Sequence, residues 1–281
     1  MNIVTNRDYL NDFIMKLKAE GETIGFVPTM GALHQGHLSL VKKAKLENDI
    51  AVVSIFVNPT QFNNQEDLVN YPSNLESDIE MLKSLDCDFV FAPEAREMYK
   101  PDDEKVHFDF GHLTEGMEGK NRPGHFDGVA TIVYKLLKYV PADKAYFGKK
   151  DYQQLLIIKS MVEQKNIDIE IVGCEIVREA DGLAMSSRNS RLNKEQRVAA
   201  PFIRQTMLKM KEIAQNSTIK ELKIFVEKSI NSNKEMQLEY FELADANSLK
   251  IISSLERKET IMGFIVVLLG NVRLIDNIKI F

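Results

Sequence analysis

The sequence predicts an α/β protein: a doubly wound parallel sheet followed by a smaller α+β domain. Up to about residue 180, short apolar runs rich in β-branched residues alternate with segments whose apolar residues recur at helical spacing. This alternation is the βαβ pattern of a parallel sheet covered by helices on both faces. Later the pattern changes to long helical segments and then to two or three strands between Met236 and Phe281. We therefore expect two domains, over residues 1–178 and 179–281.

The elements of the predicted sheet follow one another in a regular order. Residues 23–27 form a short apolar run, and a glycine-containing turn separates it from a helix marked by Leu38, Val41 and Ala44. Residues 50–57 are a continuous β-branched run, typical of a parallel strand buried on both faces. The remaining predictions are a helix opened by Ser73 or Asn74, a strand at 88–92, a helix over 129–137, a strand at 144–148, a helix over 152–164, and one or two strands within 167–177.

Composition limits the class of protein. The 281 residues are 44% hydrophobic and 27% charged, with a net charge of −5, and the basic residues are dispersed, which argues against a nucleic-acid-binding surface. The longest apolar run, residues 261–269, is about half the length that spans a bilayer. The first residues lack the apolar segment of an export signal, and Cys87 and Cys174 are isolated. We expect a cytoplasmic protein with reduced thiols, bound to neither nucleic acid nor membrane.

The most informative motif is the pair His34 and His37, which stand three residues apart where the first predicted strand gives way to a helix. Free amide groups at a helix start favour an anion, and imidazole can donate to a phosphoryl oxygen. Gly36 allows the backbone to approach a ligand closely. The alternative is a pair of surface or capping histidines. Zinc is disfavoured because no further ligands occur at metal-site spacing.

Two further polar clusters follow predicted strands or precede helices. Asn58 and Gln61 follow the second strand and offer amides that donate and accept. Arg122 and His125 lie in a glycine-containing stretch before a helix, where a guanidinium could bind an anion. Each cluster is also compatible with an ordinary turn or loop. The second is not a phosphate-binding P-loop, because Thr114 stands at the first glycine position of that motif.

The last two clusters lie further along the chain. Lys150 and Asp151 lie where a predicted strand enters a helix, and Gln154 is one turn later. The lysine suits phosphate, whereas the aspartate suits a ribose hydroxyl or simply caps the helix. Residues 185–188, Met-Ser-Ser-Arg, resemble the Lys-Met-Ser-Lys-Ser loop that partners H-x-G-H in nucleotidylyltransferases and stabilises charge on pyrophosphate. A surface turn is the alternative for this loop.

Taken together, these stretches resemble the pantothenate synthetase family, the pantoate–β-alanine ligases of the H-x-G-H nucleotidylyltransferase superfamily. The resemblance rests on five stretches in the family's order: PTMGALHQGH at 28–37, FVNPTQF at 56–62, RPGHFDGV at 122–129, FGKKDYQQ at 147–154 and READGLAMSSRN at 178–189. The final third resembles the family mainly in its length and in its pattern of helical and strand-like segments. Ser73 stands where family members often carry Arg, so this chain has a neutral hydroxyl at that position.

The resemblance implies a Rossmann-like first domain, a second domain that acts as a lid, and a homodimer joined through the first. It also implies a two-step reaction. The carboxylate of pantoate attacks the α-phosphorus of magnesium ATP to give pantoyl adenylate and pyrophosphate, and the amine of β-alanine then displaces AMP. The protein mainly positions the reactants and stabilises charge, because a carboxylate is already a competent nucleophile. A lid would exclude water from the reactive adenylate.

The resemblance also implies roles for individual residues. Catalytic roles fall to His37, the proton-donor position, and to His34, Lys150, Ser186, Ser187 and Arg188. ATP would be bound by Met30, Gly31, His34, Gly36, His37, Gly148, Lys149, Lys150, Asp151, Val177, Met185, Ser186, Ser187 and Arg188. Pantoate would contact Met30, Asn58, Gln61 and Gln154, with Gln61 also near β-alanine. Asp78 is a weak candidate for a metal ligand.

Two other functions compete with this interpretation. An adenylyltransferase of the same superfamily would keep the adenylyl group in its product and would need extra basic residues near Asn58 and Gln61, where neutral amides stand instead. A non-catalytic nucleotide sensor could dispense with both histidines and with the second-substrate pocket. The amides and the histidines favour the ligase.

Overall fold

The computed structural model describes residues 1–63, 65–103, 105–255 and 260–281. Within these residues, the strands form one six-stranded sheet and one three-stranded sheet. The strands are β1 Asn2–Val4, β2 Ile24–Thr29, β3 Ile50–Ile55, β4 Phe89–Phe91, β5 Lys144–Gly148, β6 Glu170–Cys174, β7 Met236–Asp245, β8 Ile261–Leu269 and β9 Val272–Lys279. The predicted α/β class is confirmed.

Helices connect most of the strands. They are α1 Arg7–Ala19, α2 Gln35–Glu47, α3 Gln65–Val69, α4 Leu75–Lys83, α5 Ala95–Met98, α6 Met117–Asn121, α7 His125–Tyr139, α8 Tyr152–Gln164, α9 Lys194–Ala199, α10 Phe202–Ile213 and α11 Ile219–Asn231. Short 3₁₀ turns occur at Pro59–Gln61, Gly111–Thr114, Lys149–Asp151, Ser187–Arg191 and Ala214–Asn216. Several helices carry the caps that their sequences favour; for example, Asn74 caps α4 by accepting from Ser77 N.

The larger sheet has the order β1-β4-β3-β2-β5-β6, and its neighbouring strands are parallel. After β2 the chain adds β3 and then β4 on one side, and it returns to add β5 on the other side of β2. The strand order therefore reverses between β2 and β5. In open α/β sheets, ligands bind beyond the carboxyl ends of the strands at such a switch point. The two histidines follow β2, and Lys149 follows β5.

The structure corrects the prediction in a few places. No element was expected before residue 23, yet β1 and α1 occupy that segment. β1 is an edge strand of three residues, too short to show a periodic pattern. The strand expected at 88–92 is limited to Phe89–Phe91, whereas the region 167–177 holds one strand, β6, which agrees with the one or two predicted there. The element order of the predicted βαβ series is otherwise retained.

The chain divides into two compact units, each with its own core. The first comprises residues 1–110, 122–149 and 154–175, and the second comprises residues 111–121, 150–153 and 176–281. One core cluster of the first unit packs α2 against β2 and β3, through residues such as Val27, Val41 and Val53. In the second unit, α10 and α11 pack on the antiparallel sheet β7-β8-β9 through residues such as Met207 and Ile265.

Cys87 and Cys174 are both free and buried, as predicted. Burial raises the pKa of the Cys87 thiol to about 12, so this cysteine is an unreactive core residue. No helix in the described part of the chain is both long and apolar enough to cross a membrane.

Candidate active site

The turn after β2 is held by a buried carboxylate, which accepts hydrogen bonds from two of its backbone amides. Asp78, on α4, is 1% exposed, and its two oxygens accept from the amides of Ala32 at 2.9 Å and Leu33 at 2.7 Å. Gly31 has φ +83°, and a Cβ there would lie 2.9 Å from Asp78 Oδ2, so the position requires glycine. We call Met30 to Leu33 the β2 turn. Its backbone path is set by Asp78 and by Gly31.

This geometry bears on the weak prediction of Asp78 as a metal ligand. Burial raises the pKa of the Asp78 carboxyl, and the two backbone amides oppose that rise. Among the residues described, no group of three or more His, Cys, Asp or Glu side chains converges as a metal site. Asp78 therefore has a clear positioning role in the β2 turn, where it fixes the backbone that leads into α2.

His34 is the N-cap of α2. Its Nδ1 accepts from the amide of Gly36 at 3.1 Å, and its backbone is extended. Because Nδ1 accepts, the proton of the neutral ring lies on Nε2, which is then a donor. Capping and phosphate binding were alternatives in the sequence. The structure shows the capping bond at Nδ1, which leaves the donor proton of the neutral ring on Nε2.

His37 lies on the first turn of α2 beside His34. The two ring centroids are 4.1 Å apart and the planes are 28° from parallel, so the rings stack. Both side chains are partly exposed at the carboxyl end of β2. The N-terminal end of a helix also carries partial positive charge. Stacked donors at this end form a site suited to an anion.

The segment after β3 is the second polar turn of this edge, and we call residues 58–61 the β3 turn. Asn58 is 1% exposed; its Oδ1 accepts from Tyr99 at 2.6 Å and from Thr60 at 3.1 Å, and its Nδ2 donates to Gly128 O at 3.2 Å and to Gln61 Oε1 at 3.3 Å. These bonds use the whole hydrogen-bonding capacity of the side-chain amide. A direct contact with pantoate, as the sequence predicts for Asn58, would require one of them to break.

The backbone carbonyl of Gln61 is anchored by His125, and its side chain points toward the β2 turn. His125 Nδ1 lies 2.8 Å from Gln61 O, and His125 Nε2 lies 3.0 Å from Arg122 Nη1. Arginine only donates, so Nε2 accepts and Nδ1 carries the proton that it donates to Gln61 O. The Gln61 amide nitrogen donates to Met30 Sδ at 2.7 Å. The structure thus brings the predicted pair Met30 and Gln61 together.

Gly148 and Lys149 lie at the carboxyl end of β5, next to β2 in the sheet. A Cβ at Gly148 would have no heavy atom within 4 Å, so the backbone here borders open space. Lys149 forms an ion pair with Glu175. Gln154 lies on α8 and is half-buried. Open space beside a strand-end glycine suits a ligand that approaches the backbone.

In the second unit, two consecutive residues of β9 hold two predicted ATP-binding segments. Asn277 Nδ2 donates to Lys150 O at 2.9 Å. Asp276 accepts two bonds from Arg178, at 2.7 and 2.9 Å, and is 5% exposed. Asp151 ends the 3₁₀ turn Lys149–Asp151, which runs directly into α8. The positions of Lys150 and Arg178 are therefore set by β9.

The predicted Met-Ser-Ser-Arg loop, residues 185–188, directly follows a small hairpin in the second unit. Arg178 and Ala184 form an antiparallel bridge, and Met185 N donates to Val177 O at 3.0 Å. Ser186 Oγ accepts from Arg188 N at 3.2 Å, so it caps the 3₁₀ turn Ser187–Arg191. The structure thus joins Val177 and Met185 and gives Ser186 a capping role that the sequence alone does not indicate.

Comparisons with known proteins decide the family. The sequence profile of the family described as pantoate-beta-alanine ligase matches residues 2–279. A pantothenate synthetase of Bacteroides fragilis is 50% identical over 263 residues, which cover 94% of this chain and 93% of that protein. The chain belongs to the pantoate–β-alanine ligase family. The resemblance drawn from the five motifs is confirmed.

Solved structures of the pantoate–β-alanine ligase family support the fold and the activity. The crystal structure of pantothenate synthetase from Thermus thermophilus is 39% identical and has a TM-score of 0.93, with 100% of both chains covered. A pantoate–β-alanine ligase from Francisella tularensis, complexed with "Beta-gamma ATP and Beta-alanine", is 37% identical with a TM-score of 0.78, covering 100% of this chain and 98% of that one. The activity of the chain is ligation of pantoate to β-alanine, not transfer of an adenylyl group to a stable product.

Tyr99 contributes to this candidate site but carries no obvious signal in the sequence, because it meets Asn58 from a distant segment. Gly128, which lies in one of the five stretches, also contacts Asn58. The sequence offers Asp78 only as a weak candidate for a metal ligand, and nothing in its amphipathic helix indicates its contact with the β2 turn. Asp276 and Asn277 did leave a signal, because two adjacent polar residues interrupt an apolar strand, and both are buried. Buried polar residues in a strand require partners, which points to a positioning role.

Proposed function

We propose that His34 and His37 bind the phosphates of ATP while the carboxylate of pantoate attacks the α-phosphorus. This proposal rests on the capped start of α2, which lies at the switch point of the sheet. Nε2 of His34 is a donor whose ring is fixed by the bond from Gly36, and His37 stacks on that ring. Donors fixed in advance stabilise developing charge without reorganisation. His37 is proposed as the proton donor.

The remaining roles follow the family resemblance and are proposals for this chain. Gly31, Gly36, Gly148 and Lys149 lie where a nucleotide could approach the backbone, and the open space beside Gly148 supports this placement. Lys150, Asp151, Val177 and Met185 to Arg188 are proposed to bind the ribose, the adenine and the phosphates. Their support is the family match together with the anchoring of Lys150 and Arg178 by β9.

Met30, Gln61 and Gln154 are proposed to bind pantoate, with Gln61 also near the β-alanine amine. The amide of Gln61 is the observation that supports this most directly, because its donor faces a thioether, a weak acceptor. A carboxylate or a hydroxyl is a stronger acceptor and can take over that bond. Asn58 is proposed to act on pantoate through Gln61.

Mg²⁺ is proposed to enter with ATP. This ion usually keeps several waters and binds through substrate phosphates, so a cage of protein carboxylates is not required. The donors of α2 and Lys150 would complement the charge that the ion leaves on the triphosphate. The ion would supply charge neutralisation on the phosphates when bound.

Product analysis tests the proposed chemistry. With ATP and pantoate alone, we expect pyrophosphate and enzyme-bound adenylate at about one per site. Addition of β-alanine should release AMP and pantothenate in equal amounts. An adenylylated product that persists in the presence of β-alanine would contradict the proposal.

A homodimer joined through the first unit, and a cytoplasmic location, are also proposed. The family resemblance implies the dimer, and the free, buried thiols Cys87 and Cys174 suit a reducing compartment. Light scattering on the purified chain would measure the mass directly. A monomer at assay concentration would contradict the dimer.

A further inference from the structure

The side-chain amide of Asn58 has one orientation that its surroundings allow. One end faces Gly128 O at 3.2 Å, and the other faces the hydroxyls of Tyr99 and Thr60. A backbone carbonyl only accepts, so the atom facing Gly128 must be Nδ2. Oδ1 therefore faces the hydroxyls, and the Tyr99 hydroxyl donates to it at 2.6 Å.

This orientation determines that of Gln61. Nδ2 of Asn58 also donates to the Gln61 amide at 3.3 Å, so the Gln61 atom facing it must be the oxygen. The Gln61 nitrogen then points the other way, to Met30 Sδ. With this orientation Gln61 offers a donor to a ligand. The reversed amide would offer an acceptor and would repel a carboxylate.

Tyr99 is itself rigidly placed. Lys135 Nζ lies 4.8 Å from the centre of the Tyr99 ring and donates to Met98 O at 2.8 Å. Lys135 is 6% exposed and forms an ion pair with Asp103, which also binds Arg7 at 2.9 Å. Burial raises the pKa of Tyr99, so its hydroxyl keeps its proton at neutral pH. The hydroxyl is a fixed donor.

We propose that Tyr99 is a positioning residue for the hydroxy-acid substrate. Together with Gly128 O, which sets the orientation of the Asn58 amide, the Tyr99 hydroxyl holds that amide in place, and Asn58 in turn keeps the Gln61 nitrogen directed at the carboxylate of pantoate. This inference rests on the proposed assignment of Gln61 to pantoate. It adds a residue that none of the five motifs contains. Tyr99 does not touch the substrate; its effect passes through two amides.

Steady-state kinetics of AMP release test the role of Tyr99. The Tyr99→Phe variant keeps the ring and removes the hydroxyl, and we expect the KM for pantoate to rise about five- to tenfold, the equivalent of one hydrogen bond. The KM for ATP should stay within about twofold, because Tyr99 acts on the pantoate side only. Tyr134→Phe is the matched control, since that ring packs on Phe108 in the same unit. It should change neither KM.

A double-mutant cycle separates positioning from general structural support. In a Gln61→Ala background, Tyr99→Phe should cause no further rise in the KM for pantoate, because the residue through which it acts is gone. An equal rise in both backgrounds would overturn the inference. If Tyr99→Phe does not fold, Asn58→Ala removes the amide through which Tyr99 acts and should raise the same KM. An unchanged KM in Asn58→Ala would then overturn the inference.

The cycle also distinguishes a failure of the proposed assignment of Gln61 to pantoate from a failure of the proposed role of Tyr99. If Gln61→Ala leaves the KM for pantoate unchanged, the assignment of Gln61 to pantoate fails, and the role of Tyr99 fails with it. If Gln61→Ala raises this KM and Tyr99→Phe does not, only the role of Tyr99 fails.

Discussion

The β2 turn and the β3 turn lie at the same edge of the sheet but are held in different ways. The β2 turn depends on one buried carboxylate, Asp78, which accepts from two backbone amides. The β3 turn depends on neutral groups, chiefly Asn58 and its partners Tyr99 and Gly128. Removing a partner of a charged group costs more than removing one of several neutral partners. The turn that precedes the proposed phosphate donors is thus the more sensitive. The turn beside the proposed pantoate site should respond to single substitutions with smaller changes.

The largest expected effect is on chemistry at the start of α2, which follows the β2 turn. The His37→Ala variant should slow adenylate formation by about 10² or more, the cost of losing a transition-state donor, while ATP binding stays within about tenfold. Single-turnover release of pyrophosphate measures the step. His112→Ala, an exposed histidine elsewhere, is the control. Unchanged pyrophosphate release in His37→Ala would remove His37 from the mechanism.

The next effect is on stability. In Asp78→Asn one carboxylate oxygen becomes an amide group that faces a backbone N–H, so we expect a loss of about 2–3 kcal/mol in the free energy of unfolding. Denaturant titration measures it, with Glu76→Gln, an exposed residue of the same helix, as the control. A loss no larger than that of the control would show that the β2 turn does not depend on Asp78.

A comparable change at the β3 turn should be smaller and selective. A Cβ at Gly128 would lie 2.5 Å from Thr60 O, so Gly128→Ala should push the β3 turn away and raise the KM for pantoate about tenfold. The KM for ATP should change less. Asp127→Ala, exposed and adjacent, is the control. Equal changes in both KM values would mean that the two turns are not independent.

The smallest effect is a change of stability with pH at Asp103, which forms an ion pair with Lys135, the residue that contacts the Tyr99 ring. Burial would raise the pKa of Asp103, but hydrogen bonds from Arg7 and Lys135 outweigh it and hold the pKa well below the ordinary 3.8. A lowered folded-state pKa contributes stability that is present above pH 3.8 and is lost as the pH falls toward the lowered value. The stability gap between the wild type and Asp103→Asn should therefore narrow on acidification.

Thermal unfolding at about pH 6 and about pH 3 measures this gap. Asp102→Asn, at an exposed neighbouring residue, is the control. A gap that stays constant with pH would mean that Asp103 adds nothing through its charge.

Much of the fold and of the site could be predicted from sequence because the signals are local. The strand–turn–helix around His34 and His37 follows from apolar spacing and from Gly36, and the continuous β-branched run before Asn58 marks a buried strand. The edge strand β1 and the fully bonded state of Asn58 could not be predicted. The first is too short for a pattern, and the second depends on Gly128, which lies 70 residues away.

The sequence by itself determined the family, the order of the βαβ elements from residue 23 onward and the two histidines, because each depends on residues close together along the chain. The tertiary structure decided which nitrogen of His34 donates, which way the Gln61 amide points, and that Asp78 supports the β2 turn. These are matters of hydrogen-bond partnership between segments that only the strand order brings together. Local periodicity carries no information about the strand order. Once the sheet has formed, the need to pair every buried polar group determines which hydrogen-bond partners these side chains take.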